Sequence, residues 1–329
     1  MQWDVIFGNG LRAAIGPEAA VYALLAVGLN LHWGYTGLLN LGQAGFMLVG
    51  AYGLAIIVAT VGWSMWIGVV VALAAGAVLA LLLGIPTLRL RADYFAITTI
   101  AVAEILRIVT RSRALEGVTG GPFGLQQIAD PFYDINPIPS GTYGFGVVTF
   151  SANRLWVMVV TWALVLLCTG LVVLLVRSPW GRVIRSIRED EDAARSLGKN
   201  VVAFKMQSLV VGGVIGSLAG VMFAIRATSA NAESYGATVT FFAYTVLILG
   251  GAASSLGPIV GSLIFWFLIS GTDSFLRQAD REGILPGFLE GTESIGAITL
   301  ILVGLLLASL IAFRPQGIFG NRNEIRLET

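Results

Sequence analysis

The sequence predicts an all-α polytopic membrane protein of about nine transmembrane helices, with eight to ten permitted by the segment lengths. Three observations carry that prediction. Of 329 residues, 56% are hydrophobic and only 12% are charged, whereas a soluble domain carries about 25% charged residues. The 70 residues from Ala19 to Leu88 contain no Asp, Glu, Lys or Arg. A second charge-free run, Ser234 to Thr272, is 39 residues long, enough for two crossings, since a spanning helix needs roughly 20 apolar residues.

The elements follow in order from that length. The opening MQWDVIFGNGLRAAIGPEAA interrupts its apolar residues with Asp4, Gly8, Gly10 and Arg12. That is not the basic-then-apolar order of a cleaved signal peptide, so the first span is expected to serve as the targeting signal. Ala19 to Leu88 divides into three spans, with breaks near Gly34 to Gly37 and Gly62 to Ser64. Ala92 to Thr110 is a further span despite Asp93, Glu104 and Arg107. Leu155 to Val176, Met206 to Ile225 and Ile295 to Phe313 give one span each, and Ser234 to Thr272 gives two, joined at Gly257 and Pro258. Three segments, Arg111 to Arg154, Arg226 to Glu233 and Asp273 to Glu293, are too polar and too broken by Gly and Pro to cross. The first of these, about forty residues, is too structured in composition for a flexible linker. A faint internal similarity between LLNLGQAGFMLVGAY and SSLGPIVGSLIFW leaves a duplication open. The whole chain, 1–329, reads as a single transmembrane domain.

Orientation follows from the distribution of Lys and Arg. The segment 177–205 carries Arg177, Arg182, Arg185, Arg188, Arg195, Lys199 and Lys205, the densest basic cluster, and is expected in the cytoplasm. Arg89 and Arg91 and the tail 314–329, with Arg314, Arg322 and Arg326, then share that side, so 12 of the 20 basic residues lie inside. An odd number of spans puts the N-terminus outside and the C-terminus inside, with 111–154 an extracytoplasmic loop.

The composition excludes several chemistries. One cysteine, Cys168, builds neither a disulfide framework nor a thiolate metal site. The one histidine, His32, sits beside Trp33 at a span end and reads as an interfacial anchor rather than a base. No HExxH, GxSxG or GxxxxGK[ST] sequence occurs, so no metal site, catalytic residue or nucleotide site is expected in this chain. Nothing points to nucleic acid. What the spans do carry is small and polar residues. Gly42, Gly45, Gly50 and Gly53 in one segment, and Gly212, Gly213, Gly216 and Gly220 in another, predict close helix packing. Asn40 and Gln43, three residues apart and hence on one helical face, must face protein or water because unpaired amides are costly in hydrocarbon. They serve either as interhelical glue or as the lining of a path for a small zwitterionic or amide solute. Glu104 and Arg107, at i, i+3, pose the same choice between a self-neutralising pair and a solute contact.

The loop SPWGRVIRSIREDEDAARSLGKNVVAFK is the most informative segment. Pro179 and Gly181 break the preceding helix. REDEDAARSLGKN then reads as a short helix capped by Asp190 or Asp192, with acids in its first turn, Arg195 late and Gly198 placed to end it. Such a helix lies along the membrane surface, either as a solvated positive-inside loop or as a docking helix for a cytoplasmic motor.

At this point the residues resemble the permease subunits of the branched-chain amino-acid ABC importers. GYTGLLNLGQAGFMLVGAY, LRLRADYFAITTIAVAEILRIV, TGGPFGL, the loop just quoted and RPQGIFG occur in that family's order, from about Val21 to Gly320. DYFAITTI with TGGPFGL is similar to the longer of its two permease types. The resemblance implies a permease working by alternating access in the cytoplasmic (inner) membrane of a bacterium. It also implies a second permease, paralogous or identical, two ATPase subunits holding ATP and Mg, and an extracytoplasmic solute-binding protein. It further implies that Arg188, Glu189, Asp190, Glu191, Asp192, Ala193, Ala194 and Gly198 belong to the helix that couples to the ATPase. Branched-chain or related hydrophobic amino acids are the expected solute, with urea or short amides as the alternative and an ion-coupled transporter behind both. Asn40, Gln43 and Glu104 stand as path residues on the argument from the residues alone. The outer segments, Arg277 and Arg281 among them, carry both signs of charge and are expected to dock the binding protein.

Overall fold

The computed structural model describes residues 2–90, 92–283, 292–313 and 316–320. Arg91, Glu290, Arg314, Arg322 and Arg326, and with them most of the tail 314–329, lie outside the described residues. The chain begins with α1 (Trp3–Ile15) and α2 (Pro17–Leu29), separated by Gly16 and bent by 42°. Pro17 suits the first turn of α2, where its missing N–H has no partner to lose. A π-helical stretch, Asn30–Tyr35, extends α2, and residues 37–42 are not helical at all. α3 (Gln43–Ala55) runs into a second π turn, Ile56–Thr60. α4 (Met65–Thr87) and α5 (Ala92–Arg111) follow.

The long polar segment is ordered, as its composition suggests. It holds α6 (Glu116–Thr119), β1 (Leu125–Gln126), α7 (Asp130–Asp134) and a hairpin of β2 (Thr142–Phe145) and β3 (Val148–Ser151). Next come α8 (Ala152–Arg177), α9 (Pro179–Glu189), α10 (Glu191–Ser196) and α11 (Val201–Ala227). β4 (Ser229–Ala230) pairs antiparallel with β1 and ties the long segment to the exit of α11. α12 (Ala237–Gly250), α13 (Gly257–Arg281) and α14 (Thr292–Phe313) complete the bundle.

Each of the nine expected spans is helical, yet they are not equivalent. Among the described residues, five helices are long and apolar enough to cross a bilayer, and the bent α1–α2 pair brings the number to six. α12 has 14 residues, a rise of about 21 Å, short of the roughly 30 Å hydrocarbon core. One boundary is corrected: Asp273 to Arg281, read as broken outer surface, forms the last turns of α13. Arg277 Nε pairs with Asp273 along the helix at 2.7 Å, which offsets the poor hydropathy of both.

α11 lies at the centre, packed against α2, α3 and α4. Glycine permits the approach: a Cβ on Gly50 would collide with the Ser217 carbonyl, and one on Gly220 with the Met47 carbonyl. Small residues that bring backbones together are the usual means of helix association in lipid, where no hydrophobic drive exists between helices. The two ends of the bundle are distinct. One gathers residues 36–39, the end of α4, α9, α10 and the start of α11, with residues 317–320 against the end of α12. The other gathers the β2–β3 hairpin, β1–β4, the start of α1 and the end of α5. Where they are described, the segments expected inside gather at the first end and the outer segments at the second.

Candidate functional site

The interruption between α2 and α3 concentrates the buried polar groups of the bundle. Residues 37–42 have no helix to satisfy their backbone, so local backbone bonds and side chains from neighbouring helices share the task. Thr99 Oγ1 of α5 accepts from the Leu41 amide at 3.1 Å, Thr240 Oγ1 of α12 accepts from the Ala44 amide at 2.9 Å, and the Tyr244 hydroxyl donates to the Asn40 carbonyl at 3.1 Å. Thr36 donates to the Leu31 carbonyl at 2.8 Å and lies 2.7 Å from Ser208 Oγ of α11. Asn30 holds the α12–α13 turn from the other side: its Oδ1 accepts from the Ala253 amide and its Nδ2 donates to the Ser254 carbonyl, both at 2.9 Å.

Asn40 and Gln43 sit within this frame, fully buried. Asn40 precedes α3 rather than lying on it, so the shared helical face expected from their spacing does not exist. They meet by a different route: Asn40 Nδ2 donates to Gln43 Oε1 at 3.0 Å and to His32 Nδ1 at 3.1 Å, while Asn40 Oδ1 accepts from the Gly42 amide at 2.9 Å. Gln43 Nε2 reaches the Gly212 carbonyl at 3.4 Å. His32 is not an interfacial anchor, being wholly buried. Its Nε2 faces the Leu209 carbonyl at 3.2 Å. A carbonyl only accepts and an amide NH2 only donates, so the ring is the neutral tautomer protonated on Nε2. In this conformation the three polar side chains are closed over by protein.

The α9–α10 loop is built as the sequence suggests and adds a helix. Asp190 caps α10 by accepting from the Ala193 amide at 2.9 Å. Gly198, at φ +74°, ends it, with the Gly198 amide on the Arg195 carbonyl and the Lys199 amide on the Ala194 carbonyl. The segment before it is the separate amphipathic helix α9, which buries Gly181, Ile184 and Ile187. The expected coupling residues divide by direction. Glu189, Asp190, Asp192, Ala193 and Gly198 are exposed, together with Leu197, which is 79% exposed. Ala194 turns inward against Ile187 and Val201. Glu191 pairs with Arg195 at 3.0 Å and with Lys205. Arg188 also turns inward, its Nη1 donating to the Gly34 carbonyl at 2.7 Å, and the Arg185 guanidinium lies 5.7 Å from the Tyr35 ring centre. The loop is thereby fastened to the π-helical stretch that ends in the polar cluster. A cavity of about 240 Å³ lies between them, lined by Thr36 to Leu39, Leu88, Phe95, Arg188, Glu191 and Lys205 among others.

Glu104 stands apart from this cluster. Arg107 Nε and Nη2 donate to its two carboxylate oxygens at 2.9 and 2.6 Å, and Arg107 Nη1 donates to Glu233 at 2.9 Å, with Arg111 also on Glu233. The i, i+3 pair is thus extended into a four-residue ion-pair chain at the end opposite the α9–α10 loop. Arg277 is tied to Asp273, and Arg281 is exposed at the end of α13.

A sequence model for the family described as branched-chain amino acid transport system / permease component matches residues 15–310. The chain belongs to this family. The matched range takes in the interrupted helix, α5 and the α9–α10 loop, and it begins at the last residue of α1. The high-affinity branched-chain amino acid transport system permease protein LivM of Salmonella typhimurium is 34% identical over 234 residues, covering 68% of this chain and 54% of that protein. The probable branched-chain amino acid transport permease protein LivM of Methanocaldococcus jannaschii is 26% identical, covering 62% of this chain and 64% of that one. The guanosine ABC transporter permease protein NupQ of Bacillus subtilis is also 26% identical, over 65% of this chain and 68% of that one. The chain spans about half the length of the first of these relatives.

Proposed function

We propose that this chain is the permease subunit of an ATP-binding-cassette importer, moving branched-chain or related hydrophobic amino acids across the cytoplasmic membrane by alternating access. ATP and Mg reside in two partner ATPases, a second permease completes the pore, and an extracytoplasmic binding protein delivers solute to the end carrying β1–β4. The N-terminus is outside and the α9–α10 loop inside, because that loop holds the densest cluster of Lys and Arg. The observation that carries the reading is the two-sided loop. Its outer face offers Glu189, Asp192, Ala193, Leu197 and Gly198 to a cytoplasmic partner, while Arg188 grips Gly34 next to the interrupted helix. A push on α10 therefore reaches the segment that ends in His32, Asn40 and Gln43, and opening that cluster exposes amide groups able to meet a carboxylate and an ammonium.

Family membership supports transport, and the guanosine permease among the relatives keeps the solute a matter for direct measurement. The test is ATP-driven uptake of labelled leucine by vesicles holding this chain with its co-expressed subunits, in competition with unlabelled isoleucine, urea and guanosine. Competition by isoleucine alone is expected. Guanosine or urea displacing leucine equally well would refute the amino-acid assignment. Uptake that follows a proton gradient when the ATPases are inactive would refute the ATP-driven mechanism.

A further inference from the structure

At the end opposite the α9–α10 loop, a cavity of about 420 Å³ opens between α1, the start of α2, β3, the start of α8 and α13. That volume is within the range of about 300–1,000 Å³ usual for small-molecule sites. Its lining carries three guanidiniums, Arg12, Arg154 and Arg277, and two carboxylates, Glu18 and Asp273. Both carboxylates are already engaged: Asp273 by Arg277 at 2.7 Å, and Glu18 by Arg226, which does not line the cavity. Among the described residues, Arg12 and Arg154 make no ion pair. Arg12 has only the Phe150 ring, 5.7 Å from its guanidinium carbon, and Arg154 is exposed at the start of α8. Trp266 lines the cavity with its ring. Two guanidiniums without a carboxylate partner among the described residues form a site for an anion, and guanidinium matches phosphate oxygens in geometry.

The depth of the site decides which anion. The face of α1 that lines the cavity holds Asn9, Arg12, Ala13 and Gly16. Another face presents Trp3, Phe7 and Leu11, each about half exposed and spaced i, i+4, i+8. Trp63 and Trp66 are exposed in and just after the α3–α4 turn at the same end of the bundle. Exposed tryptophans at one end of a membrane bundle mark the interface, where lipid headgroups lie. We propose that this cavity binds the headgroup of an anionic phospholipid, its phosphate held between Arg12 and Arg154. The consequence is that the outer leaflet clamps α1 to α13 and to the β2–β3 hairpin.

The test uses the full chain with its co-purifying subunits in phosphate-free detergent. It records the unfolding midpoint, and lipid adducts by native mass spectrometry, with phosphatidylglycerol, phosphatidylcholine or soluble glycerol 1-phosphate added. Phosphatidylglycerol alone is expected to raise the midpoint and to persist as an adduct. An Arg12→Gln/Arg154→Gln double variant is expected to bind it about tenfold more weakly or worse, having lost two charge-assisted contacts. Arg113→Gln, an exposed position outside the cavity, is expected to bind as the parent does. Equal protection by phosphatidylcholine, or undiminished phosphatidylglycerol binding by the double variant, overturns the proposal. Equal protection by glycerol 1-phosphate assigns the site to a water-borne phosphate and overturns the lipid assignment. Should the double variant not fold, Arg154→Gln alone serves: it is expected to lose part of the adduct, and full retention overturns the proposal.

Discussion

Replacing Arg188 by Gln tests whether the α9–α10 loop drives the interrupted helix. Arg188 Nη1 donates to the Gly34 carbonyl at 2.7 Å in a partly buried setting. A hydrogen bond from a charged donor contributes about 1.5–3 kcal/mol when sheltered, and partial exposure reduces this to about 1–2 kcal/mol. About 1.4 kcal/mol is a factor of ten, so the conformation in which loop and helix move together becomes about tenfold less favoured. The loop itself keeps its cap on Asp190 and its Glu191–Lys205 pair, so partner binding should survive. The expected phenotype is uncoupling: ATP hydrolysis continues while solute moved per ATP falls about tenfold.

The assay is the ratio of leucine uptake to phosphate released in proteoliposomes. Arg195→Gln provides the control. Its side chain is 59% exposed and, among the described residues, pairs only along α10, with Glu191 and Asp192, and such surface pairs contribute about 0.3–0.5 kcal/mol. Its ratio should change by about twofold or less. If Arg188→Gln keeps the parent ratio, or if Arg195→Gln falls as far, the mechanical link through Gly34 is not the one that couples.

Gly198→Val places a β-branched residue at φ +74°, a strain of about 1–2 kcal/mol; membrane insertion should be unchanged, coupling reduced, and parent-rate transport would refute the assignment of α10. Asn40→Leu strips partners from His32 Nδ1, Gln43 Oε1 and the Gly42 amide at once and should lower the thermal midpoint clearly, whereas Gln43→Leu loses one good bond and one long one, about 1 kcal/mol or less; equal losses would contradict this hierarchy. Cysteine at 43, in a Cys168→Ala background, should resist a water-soluble thiol reagent in the resting state and label, with protection by solute, in an ATP-trapped state; no labelling in either state would remove Gln43 from the path. Glu233→Gln breaks pairs to Arg107 and Arg111, but its side chain is 50% exposed, so stability should change by about 1 kcal/mol or less, and a larger fall would show that the ion-pair chain holds the outer loops in place.

What was legible in the sequence is what local chemistry decides. Asp190, the acids behind it and Gly198 form a self-contained start and stop, and α10 appears between them because capping needs no partner from elsewhere in the chain. The spans were legible for the same reason, since about 20 apolar residues suffice wherever they pack. The interruption was legible only in part. Residues 37–42, GLLNLG, are as apolar as a helix, and nothing local forbids one. They stay unwound because Thr99 of α5 and Tyr244 of α12, from two distant stretches, supply backbone partners a helix otherwise provides, while Thr240 of α12 holds the Ala44 amide just beyond. His32 was misread on the same ground: beside Trp33 it resembles an anchor, and only Asn40 and the Leu209 carbonyl make it a buried link. Glu104 kept its near partner, while Glu233, 126 residues beyond Arg107, was invisible. The division has a functional logic. A helix that must remain helical through a transport cycle can be encoded in its own residues, whereas a segment that must open and close is best held by bonds from neighbours that move. The polar residues that sequence cannot orient are thus the ones whose surroundings are expected to change.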